Sequence, residues 1–139
     1  MDIAALVLWL LTAVGGFVLL GVWVANGGVR DRGASHLPPP VLFGHFLLAA
    51  AGLVLWIVYV AGDSKPVAWT AFGFLVPVAL LGLTMFARWI PVYRERSAAV
   101  DPVNTALPAE RNFPVSVVLG HGLLAVTTLV LVLIAAIQA

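Results

Sequence analysis

Hydrophobic residues of this chain are concentrated in four long runs, which short polar segments separate. The runs cover residues 3–25, 41–61, 67–90 and 114–136. A helix of ~20 apolar residues crosses a hydrocarbon core about 30 Å thick. Because backbone groups must be paired internally in lipid, such segments are expected to be helical. The pattern therefore predicts an all-α integral membrane protein, a bundle of four transmembrane helices.

The overall composition agrees with a protein that lies mostly in the bilayer. Of its 139 residues, 63% are hydrophobic and 9% are charged, whereas a soluble domain has about 25% charged residues. No basic residue precedes the first run, so we predict a retained span and not a signal peptide. Cysteine is absent, which excludes disulfides and thiolate ligands, and the net charge of +1 gives no basis for nucleic-acid binding.

Positive charges lie almost entirely on one side of the predicted membrane. The connections at 26–40 and 91–113, with the end of the third run, contain six arginines, whereas the middle connection contains only Lys65. Cytoplasmic loops of membrane proteins are enriched in Lys and Arg. We predict a multi-pass protein of the inner (cytoplasmic) membrane of a bacterium, with both termini outside. The tryptophans lie mostly toward the ends of the runs, which is typical of interfacial belts; they are Trp9, Trp23, Trp56, Trp69 and Trp89.

The second and fourth runs begin with the same pattern. A Gly-His pair follows a proline, with His45 seven residues after Pro38 and His121 seven residues after Pro114. In both runs Leu-Leu-Ala follows after one further residue. The first and third runs both lead into Arg-acid-Arg, at 30–32 and 94–96. The chain is predicted to be one membrane domain, 1–139, built from two parallel helical-hairpin repeats, 1–61 and 67–136, related by an axis along the membrane normal.

The two histidines are the strongest candidates for a functional site. Ionisable residues within a membrane are costly and usually functional. At 1.5 Å per residue, both lie roughly 8–10 Å from the predicted cytoplasmic boundary. Small residues follow four and seven positions later on the same helix face; they are Ala49 and Gly52 after His45, and Ala125 and Thr128 after His121. We expect helices two and four to pack through these faces, directly or across a flat cofactor.

A haem fits this pattern of residues. Imidazoles are axial ligands of haem iron, and a groove of small residues, including Gly44 and Gly120, gives clearance for a porphyrin. The sequence predicts one haem b with His45 and His121 as its metal ligands. Two protein ligands leave no open position on the iron, which favours electron transfer over oxygen chemistry. Arg88 and Arg111 are candidates to pair with the haem propionates, although boundary arginines are also explained by topology.

One His on each of two helices in a four-helix bundle resembles small b-type cytochromes of membranes. The resemblance rests on helices two and four, and it implies a carrier of single electrons, for example between a quinone and a partner. Cytochromes of this kind often use two His pairs for two haems. This chain has only His45 and His121 in its spans, so one haem at most is implied. The chain is also similar to four-helix membrane proteins of high-GC bacteria, which implies no activity.

Other interpretations remain open at this stage. The histidines could form structural hydrogen bonds, with each other, a backbone carbonyl or Thr84, in a non-catalytic accessory subunit of a larger membrane complex. They could also handle ions or protons. Zinc is disfavoured because a structural site needs four ligands and no acid lies near this depth. His36 is expected to be a solvated loop residue. No nucleophile elbow or phosphate loop is present, so an electron carrier or accessory subunit is favoured over a stand-alone enzyme.

Overall fold

The protein folds into four long helices. A computed structural model describes residues 1–30, 35–95 and 107–139. The helices are α1 (Asp2–Ala25), α2 (Pro39–Gly62), α3 (Lys65–Arg94) and α4 (Val115–Gln138). Each is long and apolar enough to cross a membrane, so the prediction of an all-α protein with four candidate spans is confirmed. In the predicted Arg-acid-Arg elements, Asp31, Arg32 and Arg96 lie outside the described residues.

Prolines set the starts of the second and fourth helices. Pro38 and Pro114 have extended backbone angles and cap α2 and α4 respectively. A proline disfavours helical geometry in the residue before it, so each helix begins after its capping proline. Helix α3 is longer than predicted and continues through Pro91 to Arg94. The predicted third loop is also partly structured, because a 3₁₀ turn at Ala109–Asn112 precedes α4.

The helices form a ring in which α2 and α4 occupy opposite corners. Contacts are extensive between α2 and α3 and between α1 and α4, fewer between α3 and α4, and sparse between α1 and α2. Both termini share one end of the bundle with the connection between α2 and α3. There, Trp56 Nε1 donates to the Asp2 carbonyl at 3.3 Å, and Lys65 Nζ donates to the Ala139 carbonyl at 3.0 Å.

Direct packing of α2 against α4 through their small residues, one of the two predicted arrangements, is not found among the described residues. A Cβ at Gly52 would lie 3.1 Å from the Trp9 ring on α1 and 3.2 Å from Phe74 Cβ on α3. The Thr128 hydroxyl lies 3.4 Å from the Thr12 hydroxyl on α1. The physical reason is the diagonal placement of α2 and α4, which turns their small residues toward the adjacent helices.

Two aromatic clusters fill the bundle, one toward each end. The cluster toward the termini includes Trp9, Trp56 and Tyr59. The cluster at the opposite end includes Trp23 and Trp89. Four of the five tryptophans are therefore buried, and only Trp69 is exposed, so the expectation of interfacial belts fails for the other four. The outer surface is largely apolar, as expected for lipid contact; its exposed side chains include Leu47, Leu83 and Leu123.

Candidate functional site: a histidine pair between opposite helices

His45 and His121 meet between the two aromatic clusters. Their ring centroids are 6.3 Å apart, and their ring planes are inclined by 61°. His45 is six residues after the first residue of α2, and His121 is six residues after the first residue of α4. Equal positions in two parallel helices give them the same depth, about 9 Å from each helix start. The imidazoles thus come together even though their helices lie at opposite corners.

Each imidazole is held by a backbone carbonyl of an adjacent helix. His45 Nδ1 is 2.9 Å from the Val78 carbonyl oxygen on α3, and His121 Nδ1 is 2.9 Å from the Thr12 carbonyl oxygen on α1. A carbonyl only accepts, so Nδ1 is the protonated nitrogen of each neutral ring. Nε2 then carries the lone pair, and no described residue is found to bond with it. This is the arrangement that orients histidine ligands in metal sites.

The two rings lie edge to face, and their separation can be compared with that of two imidazole ligands on one iron. With nitrogen about 2.0 Å from the metal and about 1.1 Å from its ring centre, two opposed imidazoles have centroids roughly 6 Å apart. The observed 6.3 Å is close to this value. No hydrogen bond joins the two histidines in the structure, and the Thr84 hydroxyl donates instead to the Leu80 carbonyl. The sequence left three hydrogen-bond partners open for the histidines: each other, a backbone carbonyl and Thr84. The backbone carbonyl is the one observed.

The donor set fits a haem better than a metal ion held by protein ligands alone. Among the described residues, no group of three or more His, Cys, Asp or Glu side chains could hold a metal ion. A structural zinc site needs four such ligands. Haem supplies four nitrogens of its own, so two imidazoles complete the coordination of its iron. The two imidazoles could therefore supply the protein ligands of a haem.

The other predicted site residues have varied surroundings. A Cβ at Gly44 would lie 3.9 Å from Leu81, whereas Gly120 faces open space. Ala49 and Ala125 are half-buried. The two arginines lie at the bundle end beyond the aromatic cluster. Arg88 is exposed and donates from Nη1 to the His36 carbonyl at 3.2 Å, and Arg111 is partly buried in the 3₁₀ turn.

A buried acid at this end was missed by the sequence reasoning. Glu110 is fully buried and accepts from the His36 backbone N–H at 2.6 Å and from the Ser35 hydroxyl at 2.8 Å. The Ser35 hydroxyl in turn accepts from Trp23 Nε1 at 2.9 Å. A buried carboxylate requires such partners. Nothing in the sequence distinguishes Glu110 from a surface acid, because its partners are far away along the chain.

His36 is both exposed and paired. Its side chain is 61% exposed, and its Nδ1 lies 3.3 Å from Glu110 Oε1. The solvated loop residue expected from sequence is therefore one member of a contact that joins the first and third connections. The contact fixes the bundle end beyond the aromatic cluster and does not reach the imidazole pair.

Comparisons with known proteins give no family for this chain. No protein-family model matches it, and neither a curated protein nor a solved structure is significantly similar to it.

Proposed function

We propose that this protein is a membrane electron carrier of the b-type cytochrome kind. One haem b would be held by Nε2 of His45 and Nε2 of His121. The observation that carries the proposal is the imidazole pair itself, with centroids 6.3 Å apart and both Nδ1 atoms bonded to carbonyls. A haem supplies one-electron redox chemistry, and bis-histidine ligation leaves no position for oxygen.

The residues of the chain would bind and orient the group. The Val78 and Thr12 carbonyls accept from the ligands, which fixes ring orientation and raises ligand basicity. The small faces at Gly44, Gly120, Ala49 and Ala125 would border the macrocycle. Arg88 and Arg111 would pair with propionates extended toward the bundle end; this pairing requires Arg88 to exchange its bond with the His36 carbonyl. The two aromatic clusters would keep water from both edges of the site.

We also propose that the halves 1–61 and 67–136 form a parallel repeat in the inner membrane of a bacterium, with both termini outside. The support is that the histidine of each Gly-His helix is hydrogen-bonded through Nδ1 to a backbone carbonyl in the first helix of the other half. Because the chain has no cysteine, single labels report orientation cleanly. Gly62→Cys should react with an impermeant maleimide in intact cells, and Leu107→Cys only after lysis. The reverse pattern would reject this orientation.

The decisive test of function is an absorption spectrum. Protein purified from haem-replete cells should carry haem b with a low-spin spectrum in both redox states. His45→Ala and His121→Ala should each abolish or severely weaken haem retention, because one axial ligand remains. His36→Ala is the matched control, since His36 bonds only at the bundle end, and its spectrum should be unchanged. A colourless wild-type protein would reject the haem proposal.

A second candidate is a non-catalytic accessory subunit of a larger membrane complex. The specific support is that the two Nδ1 bonds tie α2 to α3 and α4 to α1, which is a sufficient structural role for intramembrane histidines. In this case the protein would be colourless, and it would co-purify with other membrane subunits in stoichiometric amounts. A cytochrome would show the spectrum whether or not partners are retained, and would be oxidised or reduced by its partner, for example a quinone.

A further inference from the structure

A glycine follows each accepting carbonyl by one helical turn. Gly16 is four residues after Thr12 on α1, and Gly82 is four residues after Val78 on α3. In an α-helix the residue at i+4 lies on the same face as residue i, and its Cβ leans toward the helix N-terminus. A side chain at i+4 therefore leans over the carbonyl of residue i and restricts approach from outside the helix.

The histidine rings occupy the space that these side chains would take. A Cβ at Gly16 would lie 3.2 Å from Cε1 of His121, and a Cβ at Gly82 would lie 3.2 Å from Cε1 of His45. These distances are shorter than an ordinary carbon–carbon contact of about 3.5–4.0 Å. Cε1 lies between the two ring nitrogens, and the next nearest ring atom is Nδ1, 3.7 Å from a Cβ at Gly16 and 3.6 Å from a Cβ at Gly82. The crowded edge of each ring is therefore the edge that bonds to the carbonyl.

Gly15, the neighbour of Gly16 on α1, also faces His121, but at ordinary contact distances: a Cβ there would lie 3.4 Å from His121 Cβ and 3.5 Å from its Nδ1. Glycines farther along the two helices have no such neighbour. Nothing lies within 4 Å of a Cβ placed at Gly21 on α1 or at Gly73 on α3. Among the described glycines, an approach of 3.2 Å to a ring Cε1 is thus found only at the two positions that follow the accepting carbonyls. It occurs once for each imidazole, with the same ring atom and the same distance.

We propose that Gly16 and Gly82 are positioning residues for the two imidazoles. Each glycine, together with the carbonyl four residues before it, forms a socket that admits one ring edge, holds the proton on Nδ1 and leaves Nε2 free. The consequence for iron ligation rests on the proposed function, but the sockets are a property of the protein without haem.

The sockets can be tested in haem-free protein. We would label histidine with nitrogen-15, reconstitute the protein in lipid nanodiscs and assign the rings with His45→Ala and His121→Ala. Gly82→Ala should shift or remove the hydrogen-bonded Nδ1–H signal of His45 and leave that of His121 in place. Gly16→Ala should do the reverse, and the larger Gly16→Val and Gly82→Val should enlarge each effect. Gly21→Ala and Gly73→Ala are the matched controls and should leave both signals unchanged.

Haem-loaded protein provides a second readout. Loss of a partner that orients a metal ligand typically weakens metal binding by 10–100-fold, so Gly16→Ala and Gly82→Ala should each weaken haem retention by about 10-fold and reduce the low-spin fraction. The controls should retain haem as the wild type does.

The two proposals fail in different ways. A protein that never binds haem, but whose Nδ1–H signals respond to the two glycines as described, would reject the cytochrome and keep the sockets. Signals that stay in place in the alanine and valine variants, or that move equally in Gly21→Ala and Gly73→Ala, would overturn the sockets whether or not haem is bound.

Discussion

The two histidines have the same backbone partner but different neighbours. His121 bonds to the Thr12 carbonyl, beside hydroxyls of Thr12 and Thr128 that lie 3.4 Å apart. His45 bonds at the same 2.9 Å to the carbonyl of Val78, a residue without a side-chain hydroxyl. Seven residues after His121 is Thr128, and seven after His45 is Gly52, which contacts the Trp9 ring. The carbonyl hydrogen bond that both histidines make thus depends on the backbone and on glycine. The surrounding side chains can therefore differ between the two histidines.

The halves differ more strongly at the bundle end. Trp23 Nε1 donates to Ser35, which donates to the buried Glu110. Trp89 is buried at a corresponding place on α3, but its Nε1 has no hydrogen-bond partner among the described residues. It instead stacks on Tyr93, with ring centroids 5.0 Å apart. Trp23 of the first half therefore joins a polar network that includes Glu110, whereas Trp89 of the second half joins an aromatic stack.

The largest expected effect that separates the polar network from the aromatic stack is that of Glu110→Ala. It leaves the His36 N–H and the Ser35 hydroxyl, both part-buried, without this acceptor, and an unsatisfied group costs about 1–3 kcal/mol when it is fully buried. Because both groups are only part-buried, we expect a loss of about 1–2 kcal/mol in the free energy of unfolding, measured by reversible denaturation in mixed micelles. The comparison change beside the aromatic stack, Glu95→Ala at an exposed position, should stay within about 0.5 kcal/mol. Equal losses would contradict the contrast between the polar network and the aromatic stack.

Much of this architecture was predictable from the sequence, and the reasons are physical. Long apolar runs define spans, and a repeated proline-to-histidine spacing gives two rings at one depth. The placement of α2 and α4 at opposite corners was not predictable. The small residues Gly52 and Thr128 favour close packing, but they do not indicate which helix they pack against. The pairing of Glu110 with Ser35 and His36 was hidden for a similar reason, since it depends on how two distant connections meet.

Trp23 and Trp89 provide the next test of the comparison. Trp23→Phe removes the donor to Ser35, whereas Trp89→Phe removes an N–H that has no partner. Both changes reduce ring volume, so the difference between their losses in the free energy of unfolding isolates the hydrogen bond from Trp23 to Ser35, worth about 1 kcal/mol. Trp23→Phe should be the more destabilising by that amount in the same unfolding assay. A larger loss for Trp89→Phe would show that the aromatic stack contributes more to the stability of this bundle end than the polar network does.

Gly52 offers a comparison within the spans. Gly52→Ala would place Cβ 3.2 Å from Phe74 Cβ, which is fixed to its backbone, and 3.1 Å from Trp9. Overpacking costs about 1–3 kcal/mol, and alanine recovers up to about 1 kcal/mol of helix propensity, so we expect a net loss of about 1 kcal/mol. Gly122→Ala on α4, which meets open space, should be neutral or stabilising. If both variants change the free energy of unfolding in the same direction, the tight contact at Gly52 does not affect stability.

The smallest expected effect is that of Thr12→Val, which removes the hydroxyl and keeps the carbonyl. Interhelical polar contacts in membranes average about 0.6 kcal/mol, and the contact to Thr128 is long at 3.4 Å, so the loss should not exceed that value. The His121 Nδ1–H signal should stay in place, because its acceptor is the backbone oxygen of residue 12. Val78 already supplies a valine at the matching position for His45. A displaced His121 signal in Thr12→Val would mean that the hydroxyl, and not the backbone, distinguishes and supports this side of the histidine pair.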